Sequence, residues 1–262
     1  PGVGANIVAD LNADQYSLRS IVGGTGIGVS VSGDDITISA VVGASLKTVV
    51  VATMDDFPAA ISGVITLEDD TDYFLQGDLT TPNRFIVAAA TTLRGPASQI
   101  VSLTYTGTGV MLTGVDPNFR VDRVTLGAPT GQLVDMGGTG VGIFQMIETT
   151  ISSCDTLGTV ENMFLTRFKG VAYQDVITNG FVFGGVNDII VLDTAVVFLN
   201  GGTAYDFGTS VSNNVTITNQ SLKSTTGGTK FIDGAAGSAN IAFGGLATVT
   251  NSRTDPAITP LT

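Results

Sequence analysis

Histidine and tryptophan are absent from this chain, and cysteine occurs once, at position 154. A single cysteine cannot close an internal disulfide. With no imidazole available to take its proton, Cys154 reads as a small buried hydrophobe rather than a reactive thiol. The same absences remove the usual zinc and transition-metal ligand sets, leaving only hard cations held by carboxylates, and no D-x-[DN]-x-[DN]-G loop is present. No cofactor is expected. Charge is also scarce, at 13% of residues, with 11 Lys and Arg against 23 Asp and Glu. The net charge of −12 makes nucleic acid and anionic membrane surfaces poor partners. A halophilic surface is excluded for the opposite reason, since such surfaces are densely charged. No apolar run reaches the roughly 18 residues that would suggest a membrane-spanning helix, so no membrane insertion is expected. No signal peptide and no starting Met are read, so Pro1 is expected to mark a processed or trimmed chain whose true termini are not visible.

Glycine is plentiful, with 34 in 262 residues, and it falls at regular intervals. Residues 109–252 divide into six successive lines beginning at Gly109, Gly131, Leu157, Asn179, Gly202 and Gly228. Each line opens with a Gly-led apolar strand, such as 110–113, 181–183 or 231–233. A turn and a second, alternating strand follow, such as 121–126, 188–192 or 215–218. The period of roughly 22–26 residues is that of a solenoid. One line cannot bury its own apolar side, but stacked lines can, each adding about 4.8 Å to a continuous core. Leucine-rich repeats are excluded by the missing L-x-x-L-x-L and Asn ladder. Helical repeats are excluded by glycine and β-branched residues in every line. What remains is an all-β fold, a right-handed parallel β-helix of about eight coils. Two inward stacks are predicted: Val110, Leu112, Leu133, Phe183, Tyr205 or Phe207, and Phe231; and Val124, Ile147, Ile189, Val215 and Ile241.

Ahead of the lines, residues 1–20 show no period and read as an extended arm. In 21–40, Ile27, Val29 and Val31 alternate, Ser32-Gly33-Asp34-Asp35 turns, and Ile36, Ile38 and Ala40 alternate again, which is a β-hairpin. Its one apolar face needs a cover, because an isolated hairpin is marginal in water. Gly24, Gly26 and Gly28 do not make a dinucleotide fingerprint, since a hairpin rather than a helix follows them. The near-echo GGTGVGI at 137–143 marks the phrase as a corner. Residues 44–52 read as a strand or connector. Residues 53–61 read as one or two helical turns with Thr53 as N-cap, shielding the first coil from edge pairing. The division expected is 1–52 for arm and hairpin and 53–262 for the β-helix, with 253–262 as a tail folded over the upper end.

Two parts of the chain resemble a known family. The lines, over roughly 55–252, look like the coils of the pectin-lyase-like right-handed β-helices of bacteriophage tailspikes and fibres. The phrase L-x-S-I-V-G-G-T-G-I…G-D-D-I-T-I, at 18–38, is similar to shaft and collar segments of phage tail fibres, where three chains bury such faces together. The resemblance implies a virion appendage on the phage exterior: a structural, non-enzymatic tail fibre, spike or collar fibre for host attachment. It also implies a homotrimer, contact with other virion proteins through the N-terminal region, and a host surface glycan as partner. A hairpin that packs on the end of its own β-helix is the alternative to a trimeric shaft. The alternative functions are a tailspike polysaccharide depolymerase and a bacterial extracellular β-helix adhesin.

Depolymerases of this kind use two carboxylates about 5–9.5 Å apart. The candidates by position are Asp116, Asp135, Glu148, Asp155, Glu161, Asp175, Asp188, Asp193, Asp206 and Asp233, with Asp188 and Asp206 expected at equivalent corners of successive coils. Most read first as turn formers. A polygalacturonase-like site would show N-T-D, a D-D pair, G-H-G and R-I-K in order, and a pectate-lyase-like site clustered basic residues with calcium acids. The chain has neither, and its corners are short. The acidic run Glu68-Asp69-Asp70-Thr71-Asp72 reads as a solvated corner, with a cation site or a catalytic carboxylate cluster as the alternatives. The sequons at Asn214 and Asn219 lie in or beside a strand and read as structural. No catalytic, cofactor or metal residue is assigned.

Overall fold

In the computed structural model the described residues are 47–193 and 203–206, with the side chains of 175–178, 186 and 187 left out, and the backbone of the other strands. The chain divides into two units, Pro1–Ser45 and Leu46–Thr262. The first holds two antiparallel hairpins. Ile27–Ser32 pairs with Asp35–Ala40 as the expected hairpin, Val31 opposite Ile36. The expected arm is not uniformly extended: Val8–Asn12 pairs with Gln15–Leu18 as a second hairpin. Gly24, Gly26 and the tail 253–262 lie outside the described residues.

The second unit is a parallel β-helix. Sheet A runs through Lys47–Val51, Thr71–Leu75, Thr91–Arg94, Asn118–Asp122, Ile143–Ile147, Leu165–Lys169, Val186–Leu192, Ser212–Thr218 and Ala239–Phe243, each parallel to the next. Sheet B carries the return of each coil. Its middle strands, Thr125–Gly137, Thr150–Glu161 and Ala172–Gly184, are long and bulged near Ala128 and Cys154. Thr125–Gly137 pairs with Ser102–Tyr105 through its first part and with Val110–Val115 through its second. The bulge is therefore where one strand bends to serve two. The coils number about six rather than eight. In the first coil a helical turn stands between Lys47–Val51 and a return strand of only three residues, Val64–Thr66, and the last strand, Thr248–Val249, has two residues.

Parallel, in-register pairing places the same side-chain position of each coil above the last. On the inner face of sheet A this gives the row Tyr73, Leu93, Val121, Met146, Phe168, Val191, all buried. Beside it runs Thr91, Phe119, Phe144, Thr166, Ile189. The Phe119 and Phe144 rings stack at 6.1 Å and 3°, and Phe168 meets Phe181 of sheet B at 4.7 Å. Sheet B adds Phe85, Leu112, Val134, Gly158, Phe181, Tyr205. Each large side chain fully buried this way contributes about 1.5–3 kcal/mol before entropy is counted.

The predicted stacks are corrected by this register. Leu112, Leu133, Phe183 and Tyr205 are buried, but Leu112 and Tyr205 share one row while Phe183 lies in the row of Met136 and Val160. Val110 is half-buried, and Ile232 rather than Phe231 is the partner of Tyr205. Ile189, Val215 and Ile241 do stand in register. Ile147 instead points outward, opposite Asp122 and Lys169, and Val124 sits past the corner. A one-residue slip is enough to move a side chain to the other face.

The lower coil is closed by the predicted turn, a 3-10 turn at Met54–Asp56. Asp56 accepts the amides of Ala52 and Thr53 at 2.9 and 2.8 Å, and these hydrogen bonds, Thr53's first, hold its carboxyl below the usual range. Phe57, just past the turn, packs 5.3 Å from both Tyr73 and Phe85.

Gly158 interrupts an apolar row for a steric reason. Its φ is +111°, and a Cβ there would lie 1.9 Å from the carbonyl oxygen of Val134. Gly158→Ala should therefore destabilise the β-helix by about 1–3 kcal/mol. Gly137→Ala should stay within about 0.5 kcal/mol of the parent, because a Cβ at Gly137 meets nothing within 4 Å. Thermal melts of the two variants check this, and equal melting temperatures would contradict it.

Candidate functional site

The corners explain several of the candidate carboxylates. Among the described residues six coils enter sheet A through a left-handed residue: Asp70 at φ 50°, Ala90 at 53°, Asp116 at 46°, Gly140 at 101°, Asn162 at 49° and Gly185 at 65°. The exit from sheet A repeats the device with Arg123 at 55°, Glu148 at 49°, Gly170 at 63° and Asp193 at 53°. Such φ values favour Gly, Asn and Asp, whose short side chains bond locally. Asp116 does so: Oδ1 accepts the Thr139 amide at 2.7 Å and Oδ2 the Thr139 hydroxyl at 2.9 Å. A Cβ on Gly138 would stand 2.0 Å from Asp116 Oδ1. GGTGVGI is thus a corner wrapped on the carboxylate of the coil below.

The other candidates are dispersed. Asp135 is exposed on sheet B with Thr113 and Thr159 as register partners, and Glu161 lies opposite Gly184. Asp155 is half-buried beside the bulge. Asp188 and Asp206 are not equivalent corners. Asp188 is in sheet A opposite Leu165 and Asn214, and Asp206 is in sheet B opposite Val182 and Asp233. Turn-like composition points to corners at both positions, but each falls within a strand. Asp206 and Asp233 are register partners, about 4.8 Å apart along the backbone. The side chains of Asp175 and Asp233 lie outside the described residues.

The acidic run at 68–72 is split among separate partners. Glu68 pairs with Lys47, Asp69 accepts the Ala89 amide at 3.0 Å, and Asp70 forms the corner. Asp72 binds Arg94 Nη2 at 2.6 Å. Among the described residues no three His, Cys, Asp or Glu side chains converge on a metal position. Cys154 is buried, and burial pushes its thiol up to about 12.

The outer face of sheet A carries a grouping that sequence order conceals. Arg94, Arg120, Arg167 and Lys169 alternate outward along their strands, and Arg123 follows at the corner. Arg94 lies 4.9 Å over the Phe74 ring as well as against Asp72. Asp122, nearly buried, receives Arg120 Nη2 at 2.7 Å and stands 3.2 Å from Arg123 Nε. Arg167 and Lys169 have no ion pair among the described residues, and Arg167 Nε is buried without an acceptor. Residues one or two coils apart in sequence come onto one face once the coils stack. The R-x-D and R-x-K spacings, read as outward strand positions, are the signal that finds them. Beside them, at the corner into sheet A, Val115, Val141 and Phe164 are exposed at 81%, 71% and 60%.

This geometry defines a parallel β-helix with short corners and a mixed, locally basic strand face. No protein-family model matches the chain, and no curated protein or solved structure matches it significantly.

The hydrogen bonds to Asp116, the Thr139 amide first, hold its carboxyl below the usual value of 3.8. A lowered folded-state value means that the ionised group stabilises the corner above pH 3.8 and that this contribution is lost as pH falls through the lower value. The stability gap between the parent and Asp116→Ala should therefore be full at neutral pH and shrink in acid below that range. Denaturant melts across pH check it. A gap that stays constant into acid would assign the corner's stability to something other than the carboxylate.

Proposed function

We propose that this chain is a structural part of a virion appendage, a tail fibre, spike or collar fibre on the exterior of a bacteriophage particle, and that it serves host attachment without cutting its receptor. It works as a homotrimer, joins other virion proteins through its N-terminal region, and meets a host surface glycan through exposed strands or corners. The observation that carries this is the pairing of a shaft-like antiparallel hairpin at 27–40 with a β-helix built of short corners. Stacked coils give a stiff rod whose strand faces are regular and open. The candidate acids support binding over cleavage. Asp116 is committed to Thr139, Asp72 to Arg94 and Glu68 to Lys47, and corner residues on short turns have no wall to exclude water.

Mass measurement in solution should give a trimer, and deletion of residues 1–43 should weaken or abolish it while leaving a β-rich circular dichroism spectrum. A monomeric full chain would contradict the appendage reading, and a trimer untouched by the deletion would move the interface to the β-helix flank. Incubation with capsule or lipopolysaccharide should release no new reducing ends and no unsaturated products. Products that vanish when an acid pair is replaced would make the chain a depolymerase.

A further inference from the structure

We infer that the outer face of sheet A, centred on Arg167, Lys169 and Arg120, binds an acidic polysaccharide, one carrying a carboxylate or sulfate on every one or two sugars. This rests on the attachment reading and names the class of glycan it would use. The chain has a net charge of −12, yet this face gathers Arg94, Arg120, Arg123, Arg167 and Lys169 against Asp72, Asp122 and Asp188. Asp72 is taken by Arg94. Asp122 is shared by two arginines, which leaves a positive excess on that strand. The strand Leu165–Lys169 adds two cations with no ion pair among the described residues. Gathering like charges on one strand face opposes folding. Nothing in the interior demands it, because these positions point outward and the core is built by their neighbours Val121 and Phe168.

The chemistry of the face selects the ligand. Planar guanidinium groups bind carboxylate and sulfate through paired donors. Arg120 and Arg167 occupy one register row with Gln145 between them. They are therefore two coil rises apart, about 9.6 Å, comparable to a disaccharide repeat. Gln145 offers an amide to the hydroxyls of the intervening sugar. Phe164, 60% exposed at the corner just before the same strand, presents a ring against which the apolar face of a sugar can stack. Glu148, Asp188 and Asp193 border the patch. Within the field of a strongly acidic protein they disfavour a polymer as densely charged as duplex nucleic acid, with one charge per about 1.7 Å of axis, and admit one with no more than about one charge per sugar.

Titration of the full chain with alginate, dextran sulfate and unsubstituted dextran tests this. Alginate should bind at low salt and weaken as salt rises, and plain dextran should not bind. Replacing Arg167 and Lys169 together by Gln should weaken alginate binding at least tenfold with the melting temperature unchanged. Arg84→Gln, on an exposed position of sheet B, should have no effect. Phe164→Ser should weaken alginate more than dextran sulfate. The inference is overturned if the double variant binds as well as the parent, if Arg84→Gln costs as much, or if alginate does not bind. It is overturned too if dextran sulfate binds alone and independently of Phe164, which is simple charge exchange. Any of these leaves the attachment reading standing, since a neutral glycan can serve it. Cleavage of the polymer would sink that reading while leaving the patch in place.

Discussion

The spacing of parallel strands governs this molecule. Each coil must sit about 4.8 Å above the last, with its backbone groups in register, or its amides and carbonyls go unpaired. Once that register holds, every inward position is forced onto its counterpart, and the core becomes columns of side chains rather than a cluster. Tyr73, Leu93, Val121, Met146 and Phe168 form one such column. Phe119 and Phe144 stand almost parallel because their backbones repeat. Thr91 is tolerated inside because its hydroxyl bonds the Glu68 carbonyl at 3.2 Å, whereas the Thr166 hydroxyl is buried without a hydrogen-bond partner and weakens its row.

The same spacing dictates the corners. A coil of fixed height must reverse direction in very few residues, so left-handed backbone recurs at the same two places. Where the chain supplies Gly, Asn or Asp the strain is small. At Arg123 and Glu148 it is larger, of the order of 1–2 kcal/mol each, and it is borne by the ladder on either side. Corners also lean on one another. Asp116 seats the amide of Thr139 above it, and Asn162 leaves only enough room for Gly185. Acidic residues are architectural here: Asp70, Asp116 and Asp193 take up left-handed corners, and Asp116 bonds the coil above.

Solenoid class was legible because Gly-led lines repeat with one period, and period is insensitive to small errors of alignment. Register was not. The line at 121–126 reads as one strand, but Val121 belongs to sheet A, Leu126 to sheet B, and the turn between them is at Arg123, which carries no turn signal. Ile147 looks like a core residue by composition and faces outward because its strand places Phe144 and Met146 inside. The basic face was hidden for a related reason. Its members are a coil apart in sequence, so they look scattered until the ladder is known.

A column shared by successive coils makes their stability collective, and this is the claim on which fold, corners and outer face all depend. Native-state hydrogen exchange on Phe144→Asn tests it most directly. The account predicts that amides of Asn118–Asp122, Ile143–Ile147 and Leu165–Lys169 lose protection together, because Phe144 contacts Phe119 below and Phe168 above. Loss confined to Ile143–Ile147, with the neighbouring strands as protected as in the parent, would contradict it.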